Sequence, residues 1–332
     1  MKTVDLFAGC GGLSLGLGRA GHEVVAAMDN WDPAIAVYRE NFEHEMLKQD
    51  LSDVASSVEA VNRFHPDLVA GGPPCQDFSS AGLQNHGGTR ADLTYKYADI
   101  ICSVKPKYFI MENVERIRKS HVLPEVIEQF SEAGYGLTAV ILDASYCGAP
   151  QARLRFFLIG CLGAENQFLL GNLQKNLSSR PMTMRDYFGD TLGTEYYYRH
   201  PRNYNRRGVY GLDEPSATIR GVNRPIPPGY VFNPNDPQGI QMDQVRPLSA
   251  DERAQIQTFP AGFKFLGPKT AQEQMIGNAV PVALGEFVGR ALAEYEQTGS
   301  LPNDFSNELI PTSHVVIPER ALKPVSQSVK TK

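Results

Sequence analysis

The segment from Asp5 to Gly12, DLFAGCGG, constrains the fold more than any other: a β-rich run ends on Gly9, Gly11 and Gly12 and passes directly into helix-forming sequence. A strand, a glycine turn and a helix in that order open many α/β nucleotide folds. The glycines let the backbone approach a ligand, and the helix start offers free N–H groups and the positive end of its dipole. A dinucleotide fingerprint begun at Gly9 fails where Ser14 stands, and one begun at Gly11 fails where Leu13 stands. A pyrophosphate cofactor is thereby the weaker reading, and a ligand carrying a carboxylate and an adenosine but no phosphate fits as well or better. Asp29 ends the second β-rich run, where such folds bind a ribose diol, and Asp50 follows the next short apolar stretch. Read as local structure only, the same glycines are a tight turn and both aspartates are helix N-caps.

The alternation begun there continues. β-rich runs at 3–7, 23–28, 68–70, 108–111 and 137–142 alternate with helical runs at 33–41, 54–64, 93–104 and 123–133, the pattern of a parallel sheet covered on both faces. Another β-rich run, 154–161, follows after Gly148 and Pro150 with no helix between, so it pairs antiparallel with its predecessor at one end of the sheet. The division expected is a large domain over 1–163, a loop-rich module over 164–246, helices over 247–297 that return to the large domain, and a flexible tail over 298–332. Ser249 and Glu252 form a capping box at the start of the returning helices.

Composition excludes several classes. With 42% hydrophobic residues in 332, the chain can bury a sizeable core, which rules out fibrous and disordered classes. The net charge of −5 gives no global attraction to a polyanion, so a nucleic-acid partner must be met by a local patch. Five scattered cysteines with no CxxC suit neither a disulfide framework nor a metal site, and reducing cytoplasm is the expected location. Asp5 and the glycines interrupt any signal-like N-terminal run, and no stretch is apolar for the roughly 18 residues a spanning helix needs.

GGPPCQDFSSAG, from Gly71 to Gly82, follows a strand at the edge where open α/β sheets bind ligands. Cys10, Cys102, Cys147 and Cys161 read as inert buried thiols, but Cys75 sits in a long loop able to carry its sulfur to a substrate. FIMENV ends the next strand with Glu112, whose partial desolvation would raise its pKa and make it a proton donor; it could equally cap the following helix. PQARLRFF supplies Gln151, Arg153 and Arg155, the two arginines facing one side of a strand.

In this order, DLFAGCGG, the acidic tip at Asp29, Asp50 in DLSD, GGPPCQDFSSAG, MENV, QARLR, RPLSADERAQIQTFP and GNAVP (Gly277 to Pro281) resemble the DNA cytosine-5 methyltransferases of bacterial restriction-modification systems. The resemblance implies a Rossmann-like α/β methyltransferase sheet, mostly parallel with one antiparallel strand at the end, and a smaller loop-rich target-recognition domain. It implies S-adenosyl-L-methionine held by Phe7, Gly9, Cys10, Gly11, Gly12, Asp29, Asn30, Trp31, Asp50, Leu51, Pro73, Asn278 and Ala279. Relatives carry the ribose acid directly before the adenine-stacking residue. Here Asn30 precedes Trp31 and the acid, Asp29, lies one step earlier, so both are candidates for the ribose.

The resemblance further makes Cys75 the nucleophile on C6 of a flipped cytosine, Glu112 the group on N3, and Arg153 and Arg155 the holders of O2 and a neighbouring phosphate. The substrate implied is duplex DNA, met by a monomer with no metal and no membrane. Gln76, Ser79 and Arg90 would contact it from the loop. The module would do so through Arg199, Arg202, Arg206, Arg207, Arg220 and Arg224, in a stretch from Lys175 to Arg246 that holds ten basic and seven acidic residues. A tRNA cytosine-5 methyltransferase on the same scaffold is the alternative.

Overall fold

Residues 1–74, 92–201 and 206–302 are described by the structure, a computed structural model. The large domain opens with β1 (Lys2–Leu6), α1 (Gly12–Arg19), β2 (Glu23–Asp29), α2 (Asp32–Asn41), β3 (Glu45–Lys48), α3 (Val54–Asn62), β4 (Leu68–Gly71), α4 (Asp92–Val104) and β5 (Tyr108–Val114). It continues through α5 (Val122–Glu132), β6 (Tyr135–Asp143), the two-residue β7 (Gln151–Ala152) and β8 (Leu154–Leu162). The seven-stranded sheet runs β3-β2-β1-β4-β5-β8-β6. The five strands from β3 to β5 are parallel, and β8 is antiparallel to both β5 and β6. The antiparallel strand therefore lies one place in from the edge, not at the end. The link 144–153 is too short to cross the sheet, so β8 must neighbour β6, and it fills the gap beside β5.

Alternation along the strands sorts side chains to two cores. Val69, Phe109, Met111, Phe156 and Leu158 face the layer of α3, α4 and α5. Their neighbours Leu68, Ala70, Tyr108, Ile110, Phe157 and Ile159 face the opposite layer. That second layer is completed by α10 (Val282–Thr298), which packs along α1. Strand β3 is not announced by the sequence: of its four residues only Met46 is buried, as suits a short edge strand ending in charges.

After β8 comes α6 (Leu170–Lys175), and the smaller part follows with α7 (Met184–Phe188), β9 (Tyr196–Tyr198), β10 (Val209–Gly211), β11 (Ser216–Ala217) and β12 (Val245–Pro247). Strands β10, β9 and β12 form a sheet, while β11 pairs with β7 of the large domain. Phe168, Leu169, Leu170 and Leu173 pack in the core with α10, so the first turns after residue 164 lie on the large domain. The chain returns through α8 (Ala250–Ile256) and α9 (Lys269–Asn278); Ser249 and Glu252 make the reciprocal capping box that their spacing predicts. The backbone N–H of Leu301 donates to Asn172, so the residues just after α10 are docked; 303–332 lie outside the described residues. No helix among the described residues is long and apolar enough to cross a membrane, and no group of His, Cys, Asp and Glu converges there as a metal site.

Candidate active site

A cavity of about 810 Å3 opens at the carboxyl edge of the parallel strands. Its wall includes the glycine turn after β1, the tip of β2 with Trp31, the residues after β3, Gly72 to Pro74 after β4, the end of β5, and Gly277 to Val280. Every sequence-predicted cofactor residue lines it except Gly11. Gly11 serves the turn from outside: its φ is 91°, and a Cβ there would come within 2.4 Å of the Phe42 ring. Phe7, at the strand end, also adopts a positive φ of 55°, a strained conformation for a non-glycine residue that brings the chain into the turn.

The structure separates the roles of Asp29 and Asn30. Asp29 accepts the backbone N–H of Gly9 at 2.8 Å on one carboxylate oxygen and that of Trp31 at 2.9 Å on the other, so it fastens the glycine turn to the tip of β2. Asn30 is exposed on the cavity wall. Neither aspartate singled out in the sequence is a helix N-cap: Trp31 precedes α2 and Asp53 caps α3. Asp50 accepts the backbone N–H and hydroxyl of Ser52, which hold its carboxyl below the usual range.

Asp5 lies under the turn, fully buried, and was not among the expected site residues although it lines the cavity. Ser14 donates to its Oδ2 at 2.5 Å, Tyr38 donates to Ser14 at 2.8 Å, and His44 stands 2.6 Å from the Tyr38 hydroxyl. Burial pushes Asp5 up to about 7, with Asp29 and Glu112 adding to the rise and the Ser14 hydrogen bond opposing it. Its Oδ1 has no hydrogen-bond partner among the described residues. The signal available in the sequence was position alone: an acid in β1, two residues before the turn.

At the other end of the cavity Glu112 and Arg155 meet across β5 and β8, whose register sets Val114 against Arg155. Arg155 Nε lies 2.8 Å from Glu112 Oε1, both side chains being nearly buried. Burial raises the Glu112 pKa, and the charges of Arg155 and Arg153 only partly offset it. A carboxyl group whose protonated form burial favours, oriented by a fixed guanidinium, can donate to a ring nitrogen. The side-chain amide of Asn113 donates to the Pro73 carbonyl at 3.0 Å, which ties the tip of β5 to the chain two residues before Cys75. Cys75 itself, with Gln76, Ser79 and Arg90, lies outside the described residues. Cys10, Cys147 and Cys161 are buried and Cys102 half-buried; burial pushes all four thiols up, Cys10 to about 12 and Cys102 to about 11, as inert cysteines require.

Arg153 departs from its expected place. It does not line the cavity, is 1% exposed, and spends its guanidinium on the carbonyls of Ile219, Gly277 and Ala279. The second part also uses many of its arginines internally. Arg207 pairs with Glu214 and lies over the Tyr210 ring, a tie within the module. Arg199 donates to the carbonyl of Thr218 and Arg220 to that of His200. Arg206 and Arg224 are exposed; Arg202 lies outside the described residues.

Comparison with known proteins places this arrangement. Residues 1–294 match the family described as C-5 cytosine-specific DNA methylase. The type II methyltransferase M.HindV of Haemophilus influenzae is 58% identical over 297 residues, covering 90% of this chain and 98% of its own. M.HgiDI of Herpetosiphon aurantiacus, also a type II methyltransferase, is 49% identical, covering 92% of this chain and all of its own. Among solved structures, the Dnmt2 methyltransferase of S. pombe superposes with a TM-score of 0.67 at 18% identity, over 89% of this chain and 98% of that one, which is a likeness of fold.

Proposed function

The chain belongs to the C-5 cytosine-specific DNA methylase family and is a DNA cytosine-5 methyltransferase, and from that premise we propose how its own residues carry the reaction. The observation that carries the reading is the continuity of one cavity from the glycine turn to the Glu112–Arg155 pair, with Pro73 and Pro74 in its wall immediately before Cys75. Cofactor and target base would thus meet over the residues that act on the base.

S-adenosyl-L-methionine supplies an electrophilic methyl group when bound. The chain's groups fit it. Asp5 Oδ1, without a partner among the described residues, suits an ammonium, the start of α1 suits a carboxylate, the Trp31 ring suits an adenine, and the exposed Asn30 amide suits the ribose diol. Because Asp29 is committed to the turn, we assign the ribose to Asn30.

On the substrate side, the Cys75 thiolate adds to C6 of a cytosine swung out of the duplex, which makes C5 an enamine carbon able to attack a methyl group. Glu112 gives its proton, or a hydrogen bond, to N3 and drains the negative charge that builds on the ring. Arg155 fixes the Glu112 carboxyl and offers its remaining N–H groups to O2. Loss of the C5 proton and expulsion of the thiolate regenerate the residue. The type II relatives support a protective role beside a restriction endonuclease, in the cytoplasm. A recognition module of this length, with Arg206 and Arg224 exposed, favours duplex DNA over tRNA.

Bisulfite sequencing of a plasmid carried in cells that express the protein tests this. Cytosines protected at one recurring sequence are expected. Unprotected plasmid together with methylated tRNA would contradict it.

A further inference from the structure

Arg153 is a poor site for a phosphate and a good site for a joint. A guanidinium that met the DNA backbone would stand at the surface, whereas this one is sealed between three chain segments. Its Nη1 donates to Ile219 in the second part of the molecule at 2.8 Å, and its Nη2 donates to Gly277 and Ala279 in the cavity wall at 2.9 and 3.0 Å. Two residues further along, Arg155 holds Glu112.

The surrounding polar groups join the same three segments. Gln151, fully buried, accepts the N–H of Ile219 at 2.7 Å and donates to Gln257 at 2.7 Å. Gln257, also fully buried, donates to the carbonyls of Ile276 and Ala279 at 2.6 and 3.2 Å. Beside them the short β11–β7 ladder is extended by Ser216 N–H to the Pro150 carbonyl and by the Thr218 hydroxyl to the Ala152 carbonyl, each at 2.8 Å. Gly277 closes the joint: a Cβ there would lie 2.1 Å from the backbone nitrogen of Gly221. Buried amides bonded at both ends and a guanidinium whose two Nη groups are spent on carbonyls, its Nε lacking a partner among the described residues, favour one geometry, because a shift would strand those amides and carbonyls away from water.

The segment that leaves the joint carries exposed side chains. Val222, 60% exposed, and the exposed Arg224 follow directly on the clamped segment. A protruding apolar side chain and an arginine two residues on are the groups that read a thymine methyl and a guanine edge.

We propose that Arg153 is a positioning residue which, with Gln151 and Gln257, holds the segment 216–224 in register with the edge carrying Glu112 and Arg155, so that sequence discrimination depends on it. This rests on the reading of the site as a DNA cytosine methyltransferase. The test measures kcat and KM on duplexes holding the recognition sequence found by bisulfite sequencing, and on duplexes with one base pair changed, for the wild type and for Arg153→Lys, Arg153→Ala, Gln257→Met and Thr218→Val.

Gln257→Met is expected to lower discrimination about tenfold, the order that one misread base pair is worth, through KM for DNA, with kcat on the correct site held within about threefold. Arg153→Lys, which keeps the charge and part of the bonding, should fall between the wild type and Arg153→Ala. Thr218→Val removes only a half-exposed hydroxyl tie and should show the same direction more weakly, even if Gln257→Met does not fold. Discrimination unchanged in Thr218→Val and Gln257→Met, with kcat alone lost in Arg153→Lys, overturns the proposal and returns Arg153 to the target nucleotide. A wild-type protein that transfers nothing to any duplex overturns the reading of the site itself.

Discussion

The cavity edge and the recognition module spend their polar groups in opposite ways. At the edge, groups face an opening: Asp5 Oδ1 lacks a partner among the described residues, Asn30 is exposed, and Glu112 with Arg155 lines the cavity. In the module the polar groups are largely consumed by the fold. Asp236 is buried and accepts from Gly208, Val209, Tyr230 and Asn233. Arg185 pairs with Glu195 and Asp213, Arg207 with Glu214, and Arg246 with Glu252. The loop-rich module is held by such ties beside its apolar clusters, so its count of arginines overstates the charge available to a duplex. Unspent polarity at an opening, not abundance of charge, marks where chemistry is done.

The largest expected effect breaks the edge. Glu112→Gln should lower kcat about a hundred- to a thousandfold, as loss of a positioned proton donor does. The wild-type rate should also fall as pH rises through the elevated Glu112 pKa, because the donating form is then lost; the variant should show no such limb. A pH–rate profile checks both, and a variant that keeps the wild-type limb contradicts the assignment.

Next comes Asp5. Its carboxyl ionises near 3.8 in the unfolded chain and about 7 in the fold, so the folded state binds the extra proton between those values. Stability is full below the lower value and falls as pH rises toward the upper one, by up to about 4 kcal/mol at about 1.4 kcal/mol per pKa unit. Thermal melts from pH 4 to pH 8 should show a steeper fall in the wild type than in Asp5→Asn, which keeps only what other raised acids such as Glu112 contribute. Equal slopes would remove Asp5 from the account.

The smallest effect separates the arginines of the module. Arg206→Ala should reduce the slope of log K against log salt for duplex binding by about 0.9, the value of one phosphate contact, whereas Arg207→Ala should leave that slope unchanged. Equal losses would show that internal pairing does not decide which arginines meet the duplex.

The sequence made the edge legible and left the joint unseen, for a physical reason. Strand alternation, the Ser249–Glu252 capping box and the residues after each parallel strand are local patterns, and the fold places them as their spacing predicts. Arg153 and Arg155 look alike at two-residue spacing. They are told apart by partners 66 and 126 residues away at Ile219 and Ala279, which no local pattern carries. The same holds for Asp29, whose two bonds to the turn decide between it and Asn30, and for β3, which has one buried side chain to announce it.

The account depends most on Cys75 as the attacking group. Incubation with duplex DNA carrying 5-fluorocytosine at the recognition sequence and with S-adenosyl-L-methionine tests it directly, since fluorine at C5 blocks the elimination that frees the enzyme. The account predicts a complex that survives denaturing electrophoresis for the wild type and none for Cys75→Ala. A wild-type protein that methylates ordinary duplex yet forms no such complex, or a Cys75→Ala protein that still forms it, would contradict the account.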